Sequence, residues 1–115
     1  MVSLTKAGNG ILALSAAEST FTTGVNLSAG GLMLGAGSTG TPVTKGPLGT
    51  GTLTIGNGTS LLSDGTARSV ANAVTVNGDF TFGGVVAGNN VTLAGAVNLG
   101  ASGRTITVAS PAVTS

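Results

Sequence analysis

The 115-residue chain contains no histidine, cysteine, tryptophan, tyrosine or glutamine. Without His and Cys the commonest metal ligands and general bases are missing, and no disulfide helps to hold the fold. Aromatic side chains are limited to Phe21, Phe80 and Phe82. A thick globular core normally draws on more aromatic volume than that, so the core is expected to be thin and built from Val, Leu, Ala and Ile. Charge is as scarce: Lys6, Lys45, Arg68 and Arg104 stand against Glu18, Asp64 and Asp79, for a net charge of +1. That balance supplies no basic stripe for nucleic acid and no polybasic signal for anionic lipid. No apolar run approaches the ~18 residues of a membrane-spanning helix. The opening Met1–Lys6 lacks the charged start and apolar block of a signal peptide. The chain is therefore expected either to be a piece of a longer exported protein or not to leave the cell by that route.

What the chain does have is apolar content of 41%, 21 glycines and, between serine and threonine, 29 hydroxyl side chains. The many Val, Leu and Ile residues argue against disorder. A short phrase recurs among the glycines: an apolar–polar–apolar triplet at Leu12-Ala13-Leu14, Leu32-Met33-Leu34, Leu53-Thr54-Ile55 and Val74-Thr75-Val76. The steps between copies are 20, 21 and 21 residues. A period in this range marks a solenoid, in which each repeat is a coil that cannot bury its apolar face alone. A second series runs between the copies, through Val25/Leu27, Val43, Leu62, Phe80/Phe82 and Val97/Leu99. Two interleaved series predict coils that each contribute two or three strands.

Alternation with period two predicts strands at Ile11–Leu14, Val25–Leu27, Leu32–Leu34, Thr52–Ile55, Leu61–Leu62, Val74–Val76, Phe80–Phe82, Val91–Leu93, Val97–Leu99 and Thr105–Val108. Gly, Asn, Asp and Ser bound each of them, with turn dipeptides at Asn9-Gly10, Asn57-Gly58, Asp64-Gly65 and Asn77-Gly78. Such pairs close hairpins as readily as they turn solenoid corners. Ala67–Val74 is the best helical candidate, and it is short and carries the β-branched Val70 and Val74. The fold expected is an all-β parallel β-helix of about five coils of ~20 residues, forming one segment over residues 1–115. The alternative is an antiparallel β-sandwich. Apolar residues of each triplet should point inward, and Thr54, Thr75, Thr81, Thr92, Thr105 and Thr107 outward, where β-branched side chains suit a sheet surface.

Motifs with chemical content are few. Asp64 and Asp79 are the available pair for carboxylate catalysis if adjacent coils brought them together, but each sits beside a glycine, where aspartate ordinarily serves a turn. Gly35–Gly40 spells G-x-G-x-x-G, yet Pro42 follows and no strand–helix unit accompanies it. No Asp-bearing glycine-rich nonapeptide of a calcium roll is present. Sequons at Asn26, Asn57 and Asn90 are expected by composition alone. T-x-T occurs at Thr20–Thr22, Thr39–Thr41, Thr50–Thr52–Thr54 and Thr105–Thr107, spaced too irregularly for an ice-binding array. Lys6, Lys45, Arg68 and Arg104 read as solvated corner residues. No catalytic, cofactor-binding or metal-binding residue is nominated, no cofactor is implied, and the chain is not expected to be an enzyme.

One run of residues resembles a known repeat. Leu4-Thr5-Lys6-Ala7-Gly8-Asn9-Gly10-Ile11-Leu12-Ala13-Leu14-Ser15, then Thr22-Thr23-Gly24-Val25-Asn26 and Ala29-Gly30-Gly31-Leu32, is similar to the autotransporter-associated β-strand repeat. Gly46-Pro47-Leu48-Gly49-Thr50-Gly51-Thr52-Leu53-Thr54-Ile55 and Arg68-Ser69-Val70-Ala71-Asn72-Ala73-Val74 resemble segments that follow in such passengers. The sequence departs at Thr20-Phe21-Thr22-Thr23, where the repeat has an aromatic and a glycine pair. The resemblance implies a right-handed coil, a place outside the cell or on the bacterial outer surface, and a stalk, scaffold or fibre role. It also lets Arg104–Ser115 lead into another copy of Leu4-Thr5-Lys6. Neither end carries the terminal helix or the charged, Pro-dense edge strand that caps a solenoid. The partners expected are thus the chain itself, stacked end to end, or adjacent repeats of a longer chain. Nucleic-acid binding and membrane insertion by this segment are not expected. An adhesin module that meets a glycan or host surface through its Thr/Asn-rich face is the alternative.

Overall fold

The computed structural model of the protein describes residues 3–19, 22–83 and 91–109. Twelve short strands and no helix occur among them. In chain order they are β1 (Ser3–Lys6), β2 (Ile11–Leu14), β3 (Gly24–Leu27), β4 (Gly31–Leu34), β5 (Leu53–Ile55), β6 (Thr59–Ser63), β7 (Arg68–Val70), β8 (Val74–Val76), β9 (Phe80–Phe82), β10 (Val91–Leu93), β11 (Val97–Asn98) and β12 (Ile106–Val108). A first sheet runs β1-β3-β5-β8-β11, a second β2-β4-β6-β9-β12, and a third holds β7 and β10. All the strand pairings are parallel. Parallel neighbours cannot be joined by a two-residue hairpin, and here the chain travels round a coil before pairing with itself. The fold is a β-solenoid of about four turns, with five levels in each of the two long sheets. The sandwich alternative is excluded by strand direction.

Alternation with period two sorts the side chains. In the first sheet Leu4, Val25, Leu53, Val74 and Val97 stand in one register column. In the second, Leu12, Leu32, Leu61, Phe82 and Val108 do the same. Leu27, Leu32, Leu34, Leu53, Ile55, Leu61, Val70, Val76 and Val91 are fully buried and share one core cluster with Phe80 and Phe82. The two rings meet edge to face, their centroids 5.1 Å apart. Burying each such aliphatic side chain is worth about 1.5–3 kcal/mol. The residues between them, among them Asn26, Thr54 and Thr75, stay wholly or partly exposed. The expected inside–outside phase of the triplets is therefore observed.

The coils are less uniform than the sequence period implies. Leu4 pairs with Val25 and Leu53 with Val74, 21 residues on in each case, but Val25 pairs with Leu53, 28 residues on. Residues 35–52 form an insertion between β4 and β5 that folds back on itself, joined by an antiparallel bridge between Thr39 and Lys45. The insertion does not merely hang outside. Leu48 enters the core at 0% exposure, Ser38 N donates to Ser69 O (3.0 Å), and Gly46 N donates to Ser19 O (3.0 Å). It thus spans the side of the tube where the third sheet has no strand at that level.

This insertion corrects the two series read from the sequence. Leu12-Ala13-Leu14 and Leu32-Met33-Leu34 belong to the second sheet, whereas Leu53-Thr54-Ile55 and Val74-Thr75-Val76 belong to the first. The insertion lengthens its coil by about the eight residues that separate Leu53 from Leu61, the two sheets' positions on one level. The apparent period survives while the phase slips from one sheet to the other. Val43, placed in the second series, lies in the insertion and is only half-buried. Leu61 rather than Leu62 faces the core cluster, although Leu62, on the other side of β6, is 1% exposed. Ala67–Val74 is not a helix: β7 and the start of β8 occupy it, as its β-branched residues favour.

Candidate functional site

Corners, faces and ends are the three places where such a tube can act; Glu18, Lys45, Asp64, Asp79 and Arg104 lie between strands, while Lys6 ends β1 and Arg68 begins β7. They are not uniformly solvated, as the sequence led us to expect. Lys6 falls at an inward register position, opposite Leu27, and is 8% exposed. Its Nζ donates to the carbonyls of Ala7 (2.7 Å), Gly8 (2.9 Å) and Ala29 (3.3 Å). An ammonium has three protons to donate, so all three are used, and the last bond ties the first coil to the second. A Cβ on Gly30, whose φ is +73°, would meet Lys6 Nζ and the carbonyls of Gly8 and Gly10. Arg104 is half-buried, and its Nε donates to Leu99 O (3.1 Å) and Val76 O (3.3 Å). Both cations thus fasten one coil to the next through backbone oxygen.

Lys45 and Arg68 find acids instead. Lys45 Nζ lies 2.7 Å from Glu18 Oε2, pinning the insertion to the first coil's corner through an exposed pair. Arg68 donates to Asp64 through Nε (3.0 Å) and a terminal nitrogen (2.8 Å). That bidentate hydrogen bond, countered by some desolvation and helped by Thr66 N–H, holds the Asp64 carboxyl below its ordinary value of 3.8 and raises Arg68. Asp79 serves a different ladder. Its N–H donates to Asn57 Oδ1 (3.1 Å), and its Oδ1 accepts from Thr105 N–H (2.8 Å), so three successive coils are stapled at one corner.

The two aspartates are not brought together. Register sets Phe80 beside Thr59, so Asp79 precedes the second-sheet strands while Asp64 follows them. At ~3.3 Å per residue they are separated by roughly 15–20 Å of strand. Among the described residues no group of three or more His, Cys, Asp or Glu is close enough to hold a metal ion. Gly35–Gly40 opens the insertion and leads to the Thr39–Lys45 bridge, not to a helix. Thr20, Phe21 and Asn90 lie outside the described residues.

A charge-free face lies on the first sheet. Thr5, Asn26, Thr54, Thr75 and Asn98 form one outward column, each opposite the next. Beside it, Ser3, Thr23 and Thr52 help to line a shallow hollow of about 250 Å³. The irregular T-x-T spacing in the sequence hid this ladder, because of the T-x-T residues only Thr54 stands in it.

The ends are apolar. Val97, Leu99, Ile106 and Val108, in the last coil, are 44%, 43%, 41% and 58% exposed. Val97, Ile106 and Val108 pair with the buried residues Val74, Phe80 and Phe82, so they lie in inward columns and are exposed because, among the described residues, no coil sits on them. With Phe80, Phe82 and Leu93 the first three of the four frame an open hollow of about 290 Å³. At the other end Leu4, Leu12 and Leu14 pack on the core but are only partly buried. β1 and β2 at one end, and β11 and β12 at the other, are the outermost strands of their sheets. Compared with known proteins, the chain matches no family model, no curated protein and no solved structure at a significant level.

Proposed function

We propose that the chain is a structural, non-catalytic solenoid unit, a section of a stalk, scaffold or head-to-tail fibre on the bacterial cell surface or outside the cell. The observation that carries this reading is the pair of open ends: inward apolar columns and, among the described residues, strand edges without a further strand at both. In solenoids stability is a sum of coil terms and coil-to-coil interfaces, and bare edges add strands unless capped. The side chains best able to do chemistry are already engaged: Lys6 and Arg104 fasten coils through carbonyls and Asp79 through the next coil's N–H, while Asp64 pairs with Arg68 within its own coil. The extracellular setting rests on the resemblance of Leu4–Ser15 and the following segments to the autotransporter-associated repeat.

A chain carrying two copies in tandem tests the reading. A structural section predicts one longer rod by solution scattering and a melting temperature above that of the single copy. Two independently melting beads would refute it.

The second reading is an adhesin, favoured by the uncharged Thr5-Asn26-Thr54-Thr75-Asn98 ladder. Shallow sugar sites commonly stack on exposed aromatics, and Phe80 and Phe82 are buried, which places it second. Binding on a glycan array that persists when assembly is blocked would reverse the order.

A further inference from the structure

We propose that the open face of the last coil seats the first coil of a second copy of this chain, in a parallel joint that stacks Val97 on Leu4 and Val108 on Leu12. The inference rests on the structural reading above and deepens it by naming the partner and the register.

The last coil lacks a specific thing: another coil of the same pattern. Val97 and Val108 already stand on Val74 and Phe82, which are eight residues apart, and Leu4 and Leu12 are also eight residues apart. The first coil can therefore lie over the last as the fourth lies beneath it. It brings three side chains, Leu4, Leu12 and Leu14, that are partly buried where their interior counterparts Val25, Leu32 and Leu34 are 0–2% exposed. Strand direction agrees as well. Every interior level is parallel to its neighbours, and a copy translated along the axis continues both sheets with the same polarity.

Charge does not oppose the joint. Lys6 continues the Leu27 column at the first-coil end, but its ammonium is held by three carbonyls of its own copy. Arg104 is turned back onto Val76 and Leu99. Docking thus strands neither cation. The two ends differ, so the contact is head to tail, and a translated contact that does not close on itself builds a filament instead of a dimer.

The joint places Asn98 of one copy beside Thr5 of the next, on the outward column, where neither supports the core. Neighbouring Cα atoms in a parallel sheet lie about 4.8 Å apart, within the span a disulfide bridges, and the chain has no cysteine of its own. Thr5→Cys and Asn98→Cys are made as separate variants, checked for native circular dichroism, mixed and mildly oxidised. The joint predicts about tenfold more cross-linked dimer in the mixture than in either variant alone, because a heterologous contact pairs only unlike ends. Adding Val108→Lys to the Asn98→Cys variant should return the yield to background.

Cross-linking that is equal or greater within a single variant would overturn the joint, as would a yield indifferent to Val108→Lys. If the mixture gives no cross-link while the two-copy tandem chain still melts as one longer rod, the intermolecular joint fails and the stalk reading stands. If the tandem copies also melt independently, both fail.

Discussion

Leu53 and Val97 occupy the same column of the first sheet, two levels apart, yet one is 0% and the other 44% exposed. Leu61 and Val108 repeat the contrast in the second sheet, at 0% and 58%. Neither residue type nor side-chain direction differs enough to account for it. The difference is whether a coil lies on top. In a quasi-one-dimensional fold, burial is thus a property of position along the axis, and the middle levels hold most of the stability while the ends hold most of the unsatisfied apolar surface.

The largest break in that contrast comes from placing a charge in the middle. Leu53→Asp buries an unpaired carboxylate and should cost about 4 kcal/mol or more in urea unfolding. Thr54→Asp, one residue away on the outer face, should cost less than about 1 kcal/mol. Equal losses would mean that the inside–outside phase is inverted. Next, Leu61→Ala should destabilise by about 2–5 kcal/mol, whereas Val108→Ala in the isolated chain should cost under about 1 kcal/mol. A costly Val108→Ala in the isolated chain would show that the last coil is covered in solution.

Lys6→Met sharpens the comparison between the two ends. It keeps the apolar stem but leaves the carbonyls of Ala7, Gly8 and Ala29 without their donor, a loss of about 1–3 kcal/mol. If Lys6 were the solvated corner residue its charge implies, the change would be neutral or slightly stabilising. The smallest effect is on acid stability. Because Arg68 holds the Asp64 carboxyl below its ordinary 3.8, the stabilisation it gives is present above that value and lost as pH falls through the lower folded one. Asp64→Asn should flatten the fall in melting temperature between about pH 4 and pH 2. An unaltered slope would show that the pair is spent on solvent.

Much of the fold is legible because its signals are local. Short alternating runs bounded by glycine and asparagine marked ten of the twelve strands within a residue or two, and Leu53, Ile55, Val74 and Val76 face inward as their alternation requires. β1 escaped because Lys6 sits where an apolar residue belongs, and its buried role depends on carbonyls brought in by the Ala7–Gly8 corner and by Ala29 of the next coil. β7 escaped because Arg68-Ser69-Val70 has one apolar residue and is defined by its partner β10. The boundaries of β6 were short because Thr59 and Ser63, both buried, are polar.

The slip between the two series is the deeper lesson. An insertion that lengthens its coil by about the offset between the two sheets leaves the period unbroken and changes the sheet, so spacing alone cannot reveal it. The polar ladder on the first sheet was hidden for the same reason: Asn26 and Thr54 are neighbours only across the insertion.

Electron microscopy of the purified chain over a range of concentrations tests most directly whether the open ends take up another coil. The account predicts threads about 30 Å wide, matching the 32 × 30 × 25 Å dimensions of one copy, that lengthen as concentration rises. A uniform particle of single-copy size at every concentration would contradict it.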